Sequence, residues 1–152
     1  NLVQALGRRI AADEEGAWLR AHCTNPLLEE KLIGLTVLTM HVLDAIGRRQ
    51  SANGAMISKE MGIPKGTVSK ITRRLLEHGL IETHMPADNR KEIHFNLTAL
   101  GGELYHLHQR LHRRIDEGME RIFGKYDEEE LRFIATFLED LVTSPWIALD
   151  SE

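Results

Sequence analysis

The sequence predicts a mainly α fold with a small β-hairpin set in its second half. Three observations carry this expectation. Apolar residues recur every three or four positions over most of the chain. One stretch, LIETHMPADNRKEIHFNL, instead alternates apolar and polar residues. Chain breakers such as Asn25-Pro26 and Gly62-Ile63-Pro64 fall between the periodic segments.

Taken in order, residues 2–22 read as a helix, because Leu2, Leu6 and Ile10 recur at one-turn spacing. After Asn25-Pro26, residues 27–48 read as a second helix with Leu28, Leu32, Leu35, Leu38, Val42 and Ile46 on one broad face. The polar stretch RRQSANG closes it. A short helix is expected over 55–61, then a tight break at Gly62-Ile63-Pro64, then a helix over 64–78 that ends at Gly79. Val68, Ile71, Leu75 and Leu76 are its expected core anchors. Strands are expected over 80–84 and 92–97, with Ile93, Phe95 and Leu97 on the buried face. A long helix follows over 98–123. Asp127 and Glu130 have capping-box spacing before a last helix with Leu131, Ile134, Leu138, Leu141 and Val142 as its stripe. Long apolar stripes at both ends exceed what a small central lobe needs, so they are expected to pack on a second copy of the chain.

Composition narrows the class. The chain has 152 residues, 42% of them hydrophobic, enough for one domain with its own core. No apolar run is long enough to span a bilayer, and NLVQALGRRIAADEE lacks a signal peptide's apolar core and cleavage site. The single cysteine, Cys23, excludes an internal disulfide framework and fits a reducing cytoplasm, the expected location.

Charge is unevenly spread. Residues 64–91 carry six cations and three acids, a net +3, within a chain of net charge −4; the remainder is therefore −7. A confined cationic face on an acidic body suggests a polyanion contact. A short helix, a glycine-containing turn, a second helix and a hairpin make the order of a winged helix-turn-helix, whose second helix enters the DNA major groove. Thr67, Ser69, Lys70, Arg73 and Arg74 then lie on or beside its exposed side, and Lys65 at its start suits a phosphate contact. At the hairpin tip, Arg90 and Lys91 suit the minor groove, with Asp88 placed to hold Arg90.

Residues 51–102 resemble the winged-helix core of the MarR family of bacterial transcriptional regulators. The likeness rests on TVSKITRRLLEHGLIE, on the Asp-x-Arg of the wing sequence DNRK, and on Leu97-Thr98 followed by Gly101. It implies one domain over residues 1–152, with the DNA-binding lobe at 50–98 and dimerisation helices at 1–48 and 99–146. It also implies a homodimer, usually a repressor, on a pseudo-palindromic double-stranded operator, with two recognition helices roughly 34 Å apart.

Eight histidines are many for this length. His108 and His112, four apart in YHLHQRLHRR, share a helix face and can grip one metal ion. His41 on the second helix and His22-Cys23-Thr24 at the end of the first resemble the zinc-sensing branch of the family. There, one histidine of the second helix, an i,i+4 pair of the long helix and a carboxylate near the first helix form a tetrahedral site. The resemblance maps this site to His41, His108 and His112. The expected carboxylate position holds Ala17, so Glu14 or Glu15 would serve with a shift in register, and Cys23 is a further candidate. That branch's second site uses acids where this chain has Met40 and Leu107, so one site is expected. Zinc is the expected cofactor.

Two other effectors remain open on sequence. One is a small organic anion near Arg110, Arg113 and Arg114; the other is oxidation of Cys23. An enzyme is the reading of another class. GIPKGTVSK lacks the Walker spacing, no HExxH occurs, and no general base accompanies the histidines, so a zinc hydrolase is not expected.

Overall fold

The computed structural model describes residues 14–86 and 92–145. Residues 2–13 of the expected first helix, and the residues Asp88, Arg90 and Lys91 expected at the hairpin tip, lie outside the described residues. The chain divides into two compact units, with the boundary between His112 and Arg113.

The first unit contains α1 (Glu14–His22), α2 (Pro26–Leu32), α3 (Val37–Arg49), β1 (Ala52–Asn53), α4 (Gly54–Met61), α5 (Lys65–Glu77), β2 (Ile81–His84), β3 (His94–Leu97) and most of α6 (Ala99–Phe123). Its core joins Leu43 and Ile46 of α3, Ile57 of α4, Val68 and Leu75 of α5, Leu80, and Leu104 of α6, all essentially sealed from solvent. The sheet is antiparallel with order β1-β3-β2, and His84 faces His94 at the loop end of the β2–β3 ladder. This is a winged helix: α4 and α5 form the helix-turn-helix, and β2 and β3 form the wing. Between α4 and α5, Gly62 takes φ +65°, the left-handed conformation that ends a helix cheaply.

Four details differ from expectation. The single helix expected over 27–48 is broken into α2 and α3. Ile33 is extended, Gly34 has φ +75°, and the Thr36 hydroxyl caps α3 by accepting from the Thr39 amide at 3.2 Å. On α5, Leu76 is exposed, while Thr72 takes the buried place. Thr72 lies four residues from Val68 and three from Leu75, and its hydroxyl donates to the Val68 carbonyl at 3.0 Å, which satisfies the buried oxygen. Ile93 precedes β3 and is exposed, because pairing begins only at His94. The third strand, β1, was not anticipated.

The start of α6 is locked to the end of α5. The Thr98 amide donates to the Leu80 carbonyl at 3.1 Å. The Thr98 hydroxyl donates to the Gly79 carbonyl at 2.7 Å and accepts from the Gly101 amide at 3.1 Å. Gly101 sits so close that an added Cβ would lie 1.8 Å from the Leu80 carbonyl oxygen. The Leu97-Thr98…Gly101 sequence thereby fixes where α6 leaves the wing, and α6 carries the histidines two turns later.

The second unit contains the end of α6 and α7 (Glu128–Thr143). Asp127 and Glu130 form the expected capping box: Asp127 accepts from the Glu130 amide at 2.8 Å, and Glu130 accepts from the Asp127 amide at 2.9 Å. No residue of α7 is buried, and Phe133, Phe137, Leu138 and Val142 are all exposed. Among the described residues, no helix is long and apolar enough to cross a membrane.

Candidate nucleic-acid interface and metal centre

The α5 helix begins at Lys65 behind Pro64, whose fixed φ suits that position. Lys65, Ser69, Lys70 and Arg73 are exposed, and Thr67 is half-buried beside them. Val68, Thr72 and Leu75 hold the opposite face in the core. Four of the sequence-predicted contacts thus stand free of the core on one helix. Arg74 is half-buried, and its Nη2 lies where a side chain on Gly34 would begin, 2.9 Å from the position of such a Cβ. Its guanidinium therefore reaches back toward the α2–α3 turn.

The three predicted histidines come together. His41 of α3 and His108 and His112 of α6 each offer a ring nitrogen, all within 4.8 Å of one another. The His108 and His112 Nε2 atoms are 3.2 Å apart. Two nitrogens on a tetrahedral zinc ion, at bonds of about 2.0–2.1 Å, stand about 3.4 Å apart, so the pair already has that spacing. The ring centroids of His41 lie 5.8 Å from His108 and 5.9 Å from His112. His108 is fully buried, while His41 and His112 are half-buried, which leaves an approach from solvent.

Electrostatics favour the ligand form. Burial pushes the His108 pKa down from 6.5 to about 4, with the His112 charge adding to the effect and Asp44 opposing it. His108 is therefore neutral at physiological pH, the state a metal ligand needs. Its Nδ1 is buried without a hydrogen-bond partner. The donor set, three imidazoles of which His108 has an orphaned second nitrogen, fits a divalent metal of borderline softness.

Glu15 and Cys23 are not part of this cluster. Glu15 has a buried Oε2 without a hydrogen-bond partner and lines a small cavity with Leu19, Leu32 and Met40. The Cys23 thiol donates to the Asn25 carbonyl at 3.4 Å and lines a separate groove with Glu103, His106 and Arg110. Ala17, at the expected carboxylate position, is exposed.

Sequence reading missed Asp44. It lies three residues after His41, on the same face of α3, and its Oδ1 is 3.9 Å from His108 Nδ1. The i,i+3 spacing from His41 was the available signal.

Residues 33–92, the helix-turn-helix and the first part of the wing, match the family model described as MarR family. A curated relative, an uncharacterized HTH-type transcriptional regulator, YhjH of Bacillus subtilis, is 36% identical over 109 residues, covering 72% of this chain and 62% of the relative. The chain belongs to the MarR family. It spans a little under two thirds of the length of the curated relatives it matches. Solved structures agree on the MarR fold. The adhesin competence repressor AdcR of Streptococcus pyogenes superposes with a TM-score of 0.67 at 18% identity, covering 93% of this chain and 96% of that one. FabT of Streptococcus pneumoniae, in a complex with DNA, gives 0.59 at 24% identity over 92% and 94%.

Proposed function

We propose that this MarR-family protein is a DNA-binding transcriptional regulator, acting as a homodimeric repressor whose operator affinity depends on zinc. The observation that carries the metal part is the convergence of His41, His108 and His112 from two helices of a winged-helix protein. The DNA part is supported by the exposed cations of α5, by the transcriptional-regulator name of the curated relative, and by a fold neighbour solved on DNA. Those names are of regulators and not of enzymes. Repression follows the family's usual mode and the printed name of AdcR.

Lys65, Thr67, Ser69, Lys70 and Arg73 would meet phosphates and base edges in the major groove, with Asp88, Arg90 and Lys91 at the wing tip. A second copy would cover the apolar faces of α6 and α7, where Met119, Ile122, Phe123, Phe137 and Leu138 stand exposed. Operators of this kind present two half-sites, one per protomer.

His41, His108 and His112 would hold the metal, with water or a carboxylate completing the tetrahedron; Glu15 remains the nearest acid on α1 in sequence terms. Bound there, zinc would supply a fixed positive charge shared by the three imidazoles. The chain does the rest. His41 sits on α3, which leads directly into β1 and α4, and His108 and His112 sit on α6. Joining them would restrict α3 against α6 and so favour one spacing of the two recognition helices. An effector shifts that equilibrium only by its differential affinity for the two states.

The test is operator binding by fluorescence anisotropy with zinc and with chelator, for the wild type and His108→Ala. The reading expects metal-dependent binding that His108→Ala loses. Unchanged metal affinity and unchanged metal dependence in that variant would overturn the site. Operator binding indifferent to zinc would turn the effector search to an organic anion or to Cys23 in its groove.

A further inference from the structure

We propose that Asp44 is the outer partner of the imidazole cluster, and that Asp44, Arg48 and Glu60 transmit its occupancy to α4, the first helix of the helix-turn-helix. This inference rests on the metal-site reading above.

The contacts form one chain. Asp44 Oδ1 stands 3.9 Å from His108 Nδ1 and accepts a hydrogen bond from the Gln109 side-chain Nε2. Arg48 Nε pairs with Asp44 Oδ2 at 2.9 Å. The same guanidinium donates through Nη2 to Glu60 Oε1 at 3.0 Å, and Arg49 Nε holds Glu60 Oε2 at 2.6 Å. Asp44, Arg48 and Arg49 belong to α3, and Glu60 belongs to α4. Asp44 is largely shielded, whereas Arg48, Arg49 and Glu60 lie at the surface, so the link to Glu60 is the part that solvent screens.

The reason for the link lies in His108. A histidine that binds metal through Nε2 carries its proton on Nδ1. That nitrogen is buried and has no hydrogen-bond partner, and a buried N–H without an acceptor is disfavoured. The carboxylate facing it is Asp44, slightly beyond hydrogen-bond reach. Metal-ligating histidines are commonly oriented by such a carboxylate. Drawing Asp44 toward Nδ1 changes its hold on Arg48. Arg48 is shared between two acids, so its grip on Glu60, and with it the seating of α4, changes too.

The experiment measures two quantities on the full chain. Zinc affinity comes from competition with a chromophoric chelator. The coupling ratio is operator Kd with chelator divided by operator Kd with zinc. Asp44→Ala should weaken zinc binding about 10–100-fold. Asp44→Asn keeps an acceptor oxygen for His108 but loses the charge that pairs with Arg48. It should keep zinc affinity within about threefold and lower the coupling ratio at least fivefold. Glu60→Gln, remote from the histidines and partly exposed, should leave zinc affinity unchanged and lower the coupling ratio similarly. A purely structural role would not separate the two quantities. Thermal unfolding checks that each variant folds, and Glu60→Gln carries the test if Asp44→Ala does not.

Coupling ratios within twofold of wild type in both Asp44→Asn and Glu60→Gln would overturn the relay. Undiminished zinc affinity in Asp44→Ala would overturn the outer-partner role. Direct zinc titration of the wild type separates the two levels: a wild type that binds no zinc fails the metal-site reading and this inference together, whereas a zinc-responsive wild type with unaffected variants fails this inference alone.

Discussion

Two adjacent glycines at the start of α6 should respond in opposite directions to the same substitution. At Gly102, an added Cβ meets nothing within 4 Å. Gly102→Ala therefore gains helix propensity and loses unfolded-state entropy, up to about 1 kcal/mol. At Gly101 the same Cβ would lie 1.8 Å from the Leu80 carbonyl oxygen, against a closest real approach of 3.0 Å. The backbone must give by more than 1 Å at the point where the Thr98 amide bonds to that same carbonyl at 3.1 Å. Overpacking of this kind costs about 1–3 kcal/mol, and a weakened backbone hydrogen bond about 1 kcal/mol more. After the propensity gain is credited, Gly101→Ala should lose about 1–3 kcal/mol. For a chain of this size that lowers Tm by about 2–12 °C, while Gly102→Ala raises it by about 2–4 °C. Differential scanning calorimetry of the metal-free protein measures both. A Gly101→Ala variant as stable as wild type would refute the reasoning. Because Gly101 sets where α6 leaves the wing, its variant should also bind operator more weakly at temperatures where it remains folded.

Other outcomes follow from the same geometry. The His108 pKa is lowered in the fold, so its contribution is complete above pH 6.5 and erodes as pH falls toward about 4. By linkage, the metal-free protein should lose about 2 kcal/mol from this group between pH 7.5 and pH 5, read as urea stability, and His108→Leu should lack that component. Lys70→Ala and Arg73→Ala, both on the exposed face of α5, should weaken operator binding, and each lost phosphate contact should reduce the salt slope by about 1. Phe137→Asp places a charge on the uncovered face of α7 and should shift sedimentation equilibrium from dimer toward monomer; an unchanged association constant would place the dimer contact elsewhere. Asp127→Ala removes the capping box of α7 and should cost about 1 kcal/mol in denaturant unfolding.

Much of this fold was legible because local signals agreed. The α5 helix, the Gly62 turn, the Asp127 cap and the two wing strands each rest on a few neighbouring residues. The α2–α3 break was hidden, since Leu35 and Leu38 carry the apolar stripe through Gly34 and only the Thr36 cap marks the new start. Leu76 was misjudged because apolar character outweighed angle: Thr72, not Leu76, completes the face of Val68 and Leu75. The two-residue strand β1 is too short to leave a pattern. In the candidate site, the i,i+4 pair His108 and His112 is visible from spacing. The approach of His41, and the facing of Asp44 to His108, depend on how α3 packs against α6, which no local pattern encodes.

The central claim is a zinc-dependent winged-helix regulator. The most direct test is anisotropy of the purified full chain on a labelled fragment from upstream of its own gene, with zinc and then with chelator, across a salt series. The account predicts binding that requires zinc and falls steeply with salt, on the order of one power of salt concentration per phosphate contacted. Specific binding of equal strength with zinc and with chelator would contradict it.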